Sequence, residues 1–600
     1  IRIEGTDFIT FDCISLTANI QGIEYGYLTH KPSGTDGCQN VTIKNAVVTM
    51  NRGNSGVVIG IYIGNGSVST TSATGVTVTS LAGKNANILI TGNTVQGAHS
   101  ALVFRGSSAS GFADDNITIG VSGEGNLLHN YGGGHVSSAH GVYMIYATNV
   151  NISYNTFDNS GGEGSPHNST LYGVFLSSGV TGDIVMNNND ITLANTAASS
   201  GSQGLYSANT ATSYTVNNNT FSSGTITSTG TLYLIYLSSS CQNVNVSGNQ
   251  INGTFTRSSA SGTMYAYYNN GSPGSGTENI YNNDFSNISV SGTGTFYGIY
   301  SNTAAGHTAN IYNNVVSNIT AGTGTIYGVY GAIANTRSIY GNDIYGFNNS
   351  GIIYGIYVSG GNPALVYNNE VYNLTSASSS ATTTQMVNGI YIAGGTNTYL
   401  YNNYISDLHM PNSPLAAAVG GICVNSGTNA GLYYNTIFLN TTGSTSTFGT
   451  SGIFVRGTSS ACDLRNNNIV NISTPGETGY TVGIRWAAAF NPAYYANTSN
   501  NNNIYCGEPD ANHLIYFNGT EGDQIMEDYQ LRVSPMDAAS FSEDPPFINS
   551  LTTPYDLRLS TTVSTQCESG GIAITIPIAI DSDFDGNIRQ GSPGYTGTGT

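Results

Sequence analysis

Charge is what this sequence has least of. Only 8% of its 600 residues are charged, against ~25% in ordinary globular proteins. Lysine is confined to Lys31, Lys44 and Lys84. With 33 acidic residues against 14 basic ones, the net charge is −19. Binding to nucleic acid or anionic lipid depends on Lys and Arg neutralising phosphates, so this balance argues against both as partners. Apolar runs are short, and none approaches the ~20 residues of a membrane-crossing helix, so no direct membrane insertion is expected. No secretion leader is visible either. The chain opens inside its own pattern at Ile1-Arg2-Ile3, which reads as a mature or trimmed form. Seven cysteines are present and none forms a C-x-x-C pair, which weakens zinc-ribbon and thioredoxin-like readings. The odd number leaves at least one thiol without an internal partner. Cys13 with Cys38, and Cys506 with Cys567, are the candidate disulfides, each closing a loop near one end.

Small polar and aromatic residues fill the space that charge leaves. Glycine numbers 77, tyrosine 41 and phenylalanine 19. That aromatic content, on a dense Ile/Val/Leu background, argues against the disorder that low charge alone would suggest. One motif recurs: an apolar residue or Tyr, then Asn-Asn, any residue, then an apolar one. It reads Ile280-Tyr281-Asn282-Asn283-Asp284-Phe285 and again Val366-Tyr367-Asn368-Asn369-Glu370-Val371. Its second Asn recurs from Asn93 to Asn502 at intervals of 27–35 residues, near 31 on average. Gly-Ile-Tyr-like triplets keep the same period, as at Gly328-Val329-Tyr330 and Gly355-Ile356-Tyr357.

Two motifs locked to one period mean one structural unit per period. Short, alternating, β-branched runs say strand, and the Gly/Ser/Asn/Thr clusters between them say turn. About 31 residues with three strands matches one coil of a single-stranded right-handed parallel β-helix. A propeller blade would need ~40–45 residues and four strands. The expected organisation is an all-β solenoid over 1–504, less regular in coils 1–140, then an irregular C-terminal cap over 505–600. Asn suits the turns because it tolerates left-handed backbone, and stacked Asn amides bond along a ladder. Sequons such as Asn287-Ile288-Ser289 and Asn318-Ile319-Thr320 read as the same turn chemistry.

The repeats resemble the right-handed parallel β-helix proteins secreted by Bacteroidetes-type bacteria. Gly5-Thr6-Asp7-Phe8-Ile9-Thr10-Phe11-Asp12 and Asp36-Gly37-Cys38-Gln39-Asn40 look like that group's opening coils. Pro546-Phe547-Ile548-Asn549, Asp556-Leu557-Arg558-Leu559 and Asp583-Phe584-Asp585-Gly586-Asn587-Ile588-Arg589 look like its closing segment. The resemblance implies an extracellular or cell-surface protein exported by the type IX route, in which a sorting domain commonly follows. It implies no single activity, because the fold serves lyases, hydrolases, adhesins and fibres alike.

Candidate catalytic residues are few. β-Helix pectin hydrolases carry Asn-Thr-Asp, Asp-Asp, Gly-His-Gly and Arg-x-Lys. Here Asn93-Thr94-Val95, Asp114-Asp115 and Gly134-His135-Val136 echo the first three. Val95 stands where a carboxylate is needed and no Arg-x-Lys follows, so Asp114, Asp115 and His135 are weak candidates for the acid and base of hydrolysis. Asp114 and Asp115 read as loop residues before a strand. A lyase would need a basic residue beside calcium-binding carboxylates, and lysine is absent after Lys84. His129, His135 and His140 read as loop histidines. Asp284, Asp343 and Glu370 share one motif position, and the last two fall on consecutive coils. Their carboxylates are expected about one strand spacing apart, where like charges raise a pKa or recruit a cation.

Asp581, Asp583 and Asp585 match the first half of a calcium loop, but the twelfth position falls at Gly591-Ser592 instead of Glu. Calcium is the one cofactor the pattern admits. Tyr281, Tyr312, Tyr340, Tyr367 and Tyr401 fill one motif position, and Tyr300, Tyr330, Tyr357 and Tyr391 another. Strand alternation turns each outward. Such rows either stack to hold coils together or form a binding stripe for glycan or a second rod. The function expected is therefore structural or adhesive and non-catalytic, with self-association or glycan binding. The alternative is a polysaccharide-active lyase or hydrolase.

Overall fold

The computed structural model describes all residues except 19–21, 23, 68–74, 134, 162–166, 239–240, 272–274, 304–305, 334–335, 383–385, 458–460, 569, 590–591 and 593–600. It is a right-handed parallel β-solenoid of about 15 turns, about 32 residues apart, as the repeat implies. The chain divides into two compact units, Ile1–Thr295 with Ile299–Thr308, and Phe296–Gly298 with Ala309–Thr600.

In both units most coils give one strand to each of three sheets. One coil of the second unit contributes Ile326–Gly331, Thr336–Tyr340 and Asp343–Asn349, and the next contributes Ile353–Val358, Ala364–Tyr367 and Glu370–Ser376. Register is kept residue for residue: Val329 pairs with Ile356, Ile339 with Val366 and Ile344 with Val371. The core is thus three apolar ladders. Ile356, Ile390, Ile422, Ile453 and Ile484 on the first sheet face Ile344, Val371, Ile405, Ile437 and Ile469 on the third, all fully buried. Each such side chain contributes ~1.5–3 kcal/mol on burial. The glycine of the Gly-Ile-Tyr triplet is set by this closeness. A Cβ on Gly355 would stand 2.4 Å from Val371 Cγ1, and one on Gly389 2.4 Å from Ile405 Cγ2.

The first unit repeats the plan. Leu102 pairs with Val142 on the first sheet, Ile117 with Val150 on the second and Leu128 with Phe157 on the third.

The Asn-Asn pair divides two tasks that its sequence seemed to share. The first Asn takes the left-handed turn: φ is 54° at Asn282, 53° at Asn313, 52° at Asn368 and 53° at Asn402. Gly92, Gly248 and Gly341 occupy that place in other coils with φ of 62–64°, as their lack of a Cβ allows. The second Asn points inward. Asn342, Asn369, Asn403, Asn435 and Asn467 are no more than 1% exposed. The Oδ1 of Asn369 accepts from the backbone N–H of Asn342 (3.1 Å) and from its Nδ2 (2.9 Å). The Oδ1 of Asn403 does the same for Asn369. The other Nδ2 proton reaches backbone carbonyls, as Asn369 does to Ile339 and Tyr367. Every polar atom of the amide is used. An equivalent ladder runs from Asn93 through Asn126, Asn155, Asn189, Asn219 and Asn249 to Asn283 in the first unit.

The second unit's ladder ends on Asp537, which the repeat pattern does not reveal. Asn502 Nδ2 donates to its carboxylate at 2.9 Å, as do the hydroxyls of Tyr495, Tyr529 and Ser540. Tyr529 comes from the helix Met526–Val533. Beyond residue 504 one further strand, His513–Phe517, pairs in parallel with Thr481–Trp486. The chain then turns back along the third sheet of the same unit.

Candidate functional site

The tyrosine rows stand on the outer faces where alternation places them, half-buried except for Tyr391, which is buried. On the second sheet Tyr312, Tyr340, Tyr367 and Tyr401 stack at centroid distances of 4.7–4.9 Å, with ring planes within 4° of parallel. On the first sheet Tyr330, Tyr357 and Tyr391 stack at 4.6 and 5.2 Å, and in the other unit Tyr300 lies 4.9 Å from Tyr268. Tyr281 continues the motif position at half-burial. A second column was not foreseen. Tyr297, Tyr327 and Tyr354 stack at 4.7 and 5.1 Å. It exists because the strands break alternation: in Ile326–Gly331 both Gly328 and Val329 face inward, so Tyr327 and Tyr330 share a face. Parallel stacking along each row covers the ring faces with other rings. What the rows present to solvent is ring edges and hydroxyls.

A groove lies in the second unit where residues 541–589 lie along the third sheet and, at Ile574, Ile578 and Ile580, pack on Tyr399, Tyr401 and Tyr433 of the second, covering the end of the Tyr401 row. Outward-pointing left-handed asparagines hold this segment. Asn402 Nδ2 donates to the Ser582 carbonyl (2.9 Å) and Asn402 Oδ1 accepts from Arg589 Nη2 (2.7 Å). Asn466 brackets Ile572 with bonds of 2.8 and 3.0 Å, and Asn501 Nδ2 reaches the Gly570 carbonyl at 2.9 Å. Phe584 stacks on Tyr404 at 4.2 Å, and the Arg589 guanidinium lies 3.6 Å over the Tyr434 ring. Between segment and sheet is a cavity of about 860 Å³, within the ~300–1,000 Å³ typical of ligand sites. Asn468, Asn503, Tyr404, Tyr434, Arg558 and Asp585 are among its walls.

A side pocket of about 300 Å³ adjoins it, walled by Glu370, Tyr372, Tyr404, Tyr555 and Arg558. Asp343 and Glu370 are direct cross-strand partners, the spacing expected of them. Burial pushes the Glu370 carboxyl up to about 7, Asp343 adds to the effect and Arg558 opposes it. Burial also raises Asp343, against its hydrogen bond to Glu370. The pair therefore holds a proton near neutral pH. Arg558 bridges to Asp585 (2.9 Å) and Asp556 (3.2 Å) of the returning segment. Asp284, in the first unit, is exposed.

The early-coil candidates do not form a set. Asp114 and Asp115 are not loop residues but open the strand Asp114–Ile119, because Asp114 is drawn inward by a buried cation. Lys31 Nζ lies 3.3 Å from Asp114 Oδ1, both side chains being almost fully buried, and Asn85 donates to the same carboxylate through N and Nδ2. Asp115 pairs with Lys84 at 3.1 Å and accepts from Asn149. His135 stands in the connection from the third sheet back to the first, its Nδ1 on the Ser137 hydroxyl at 2.7 Å. None of its hydrogen-bond partners is shared with the two aspartates. Gly134 lies outside the described residues. His140 is not in a loop: it sits in the strand Ala139–Ile145 and stacks on Tyr172 at 5.1 Å. His129 likewise ends a strand.

Asp581, Asp583 and Asp585 diverge. Asp583 closes its own turn by accepting from Asn587 N and Nδ2, and Asp585 accepts from Arg558. Among the described residues no group of three His, Cys, Asp or Glu side chains is placed to hold a metal ion; Gly591 lies outside them. None of the seven cysteines is in a disulfide. Cys13 is exposed beside Asp12, Cys38 is buried under the first coils, and Cys506 and Cys567 are likewise unbonded, so neither candidate disulfide is formed. No protein-family model matches the chain, and no curated protein matches it either.

Proposed function

We propose that this chain is an extracellular, surface-displayed β-solenoid that binds carbohydrate without transforming it, and that the groove beneath residues 541–589 is its ligand site. One observation carries the reading: a cavity of about 860 Å³ walled by side-chain amides, two tyrosines and a few paired charges. Sugars present alternating hydroxyl donors and acceptors over small apolar patches. Amides satisfy the first, and Phe541, Leu557 and Ile588 among the cavity walls offer apolar surface for the second, since Phe584 and Arg589 already cover faces of Tyr404 and Tyr434. The tyrosine rows suit coil cohesion better, since their ring faces are already taken. The likeness of the opening and closing segments to Bacteroidetes β-helix proteins supports export by the type IX route. Self-association belongs to the same proposal, and sedimentation velocity tests it.

Thr561 is exposed and lines the cavity, so Thr561→Trp fills the groove without removing a contact of the coils. On an array of neutral and acidic glycans, wild type is expected to bind and Thr561→Trp to bind at least tenfold more weakly. Equal binding by the two, or weakening only in Tyr330→Ala and Tyr357→Ala, would move the site to the tyrosine rows.

A second reading rests on the proton held by Glu370 and Asp343 at the mouth of the side pocket. A carboxyl that titrates near neutral pH is suited to general acid catalysis. Release of reducing ends from a polysaccharide by wild type but not by Glu370→Gln would establish that reading over the first.

A further inference from the structure

Buried polar atoms in native proteins find partners, and one that does not points to a water, an ion or a strained site. In the first unit five such atoms belong to Tyr131, which precedes one backbone turn and interacts electrostatically with Arg52, and to Arg52, His99 and His167, which gather about that turn. Arg52 Nε and Nη1, Tyr131 Oη, His99 Nδ1 and His167 Nδ1 are all shielded from solvent and lack a hydrogen-bond partner. Tyr131 is fully buried, His99 is 4% exposed and His167 3%.

The turn is Gly132-Gly133, with φ of 89° and 97°. Without side chains there, Arg52 and His167 lie directly against the backbone. A Cβ on Gly133 would stand 3.1 Å from Arg52 Nε, and one on Gly132 3.4 Å from His167 Nδ1. The His99 ring is 6.0 Å from His167 and 5.1 Å from His135. Among the described residues no carboxylate pairs with Arg52, although the chain carries a net charge of −19. Arg52 is half-buried, with Nε and Nη1 shielded from solvent; a guanidinium shielded on that side without a counter-charge is costly, and an anion offsets it.

The tautomers narrow the choice of anion. His99 Nε2 faces the Ser137 carbonyl at 3.2 Å and His167 Nε2 faces the Thr170 carbonyl at 3.1 Å. His99 Nε2 therefore carries the proton, and His99 Nδ1 is an acceptor while its ring is neutral; His167 is held by the backbone of both Thr170 and Gly133. Burial lowers both rings, His99 to about 4. The site thus offers three donor atoms, Arg52 Nε and Nη1 and Tyr131 Oη, and an acceptor in His99 Nδ1. A carboxylate has two oxygens and no proton to give. A phosphate near neutral pH keeps a P–OH beside its charged oxygens and matches both kinds of group. Sulfate has the shape but no proton.

We infer that Arg52, Tyr131, His99 and His167 form a binding site for phosphate, as the free ion or as a monoester. Its charged oxygens accept from Arg52 and Tyr131, and its proton meets an imidazole Nδ1. The charged and titratable groups facing the site are Arg52, Tyr131, Asp158, His99, His135, His140 and His167. Asp158 is the one carboxylate among them. Rising pH removes the phosphate's proton and weakens binding.

Titration calorimetry of the full chain with sodium phosphate at pH 6.5 and constant ionic strength tests this. Wild type is expected to bind one phosphate, and sulfate at least tenfold more weakly. Tyr131→Phe removes one hydroxyl and is expected to weaken phosphate at least fivefold, and Arg52→Met to abolish binding. Glycerol 1-phosphate in a parallel titration separates the sources. Binding of phosphate alone assigns the free ion, and binding of both assigns a phosphorylated glycan or headgroup. The inference is overturned by no phosphate binding to wild type, by equal affinity for sulfate, or by unchanged affinity in Tyr131→Phe. That last variant decides the matter even if Arg52→Met does not fold.

Discussion

Within one Asn-Asn pair, two chemically identical residues hold the solenoid by different means. Asn368 supplies a left-handed turn that glycine supplies elsewhere, whereas the Asn369 side chain supplies five hydrogen bonds inside the coil. Asn368→Gly is therefore expected to shift stability by no more than ~0.5 kcal/mol in urea unfolding, since Gly adopts that φ freely. Asn369→Gly strands the N–H and Nδ2 of Asn342, at ~1–3 kcal/mol for each unsatisfied group. Equal effects of the two substitutions would contradict the division. Lys31 and Asp114 obey the same logic in the early coils. Lys31→Met leaves a buried carboxylate without its cation and is expected to cost ~3–5 kcal/mol, while Asp114→Asn with Lys31→Met restores part of it. The melting temperatures of the single and double variants check this. Neither distinction is legible in the sequence. Both asparagines read as turn formers, and nothing near Asp114 announces a partner 83 residues earlier.

The coils and the returning segment differ in how much the sequence reveals of them. A coil is legible because its strands, glycine and Asn pair recur at a fixed period, and parallel register follows from stacking like on like. The groove is not, because residues 541–589 carry no repeat and their contacts reach back as far as the 187 residues between Asn402 and Arg589. The Asp343–Glu370 juxtaposition was legible from the period. Its cover of Tyr555, Asp556 and Arg558 was not, and that cover does the burying that raises Glu370. The direction of the shift fixes a pH dependence. A carboxyl raised in the docked state contributes its stability in full below its ordinary value of 4.5 and loses it as pH rises through about 7. Limited proteolysis within 541–589 is expected to be slower at pH 5 than at pH 8. The difference is expected to vanish in Glu370→Gln, and its persistence there would assign the effect to another group.

For the molecule as a whole, composition and chemistry agree on a scaffold that keeps its charges few and its polar groups satisfied along ladders. The same regularity leaves little for function along the coils, since the tyrosines face one another and the inner asparagines are saturated. The proposed carbohydrate site lies where the repeat stops, beneath the segment that covers Tyr404, Tyr434, Asn468 and Asn503. The most direct measurement is hydrogen–deuterium exchange of the full chain with and without a saturating oligosaccharide from the glycan array. Slower exchange in residues 402–405 and 570–589, with the strands carrying Tyr330, Tyr357 and Tyr391 unchanged, is the predicted result. Protection confined to those tyrosine-bearing strands, or none anywhere, would contradict the account.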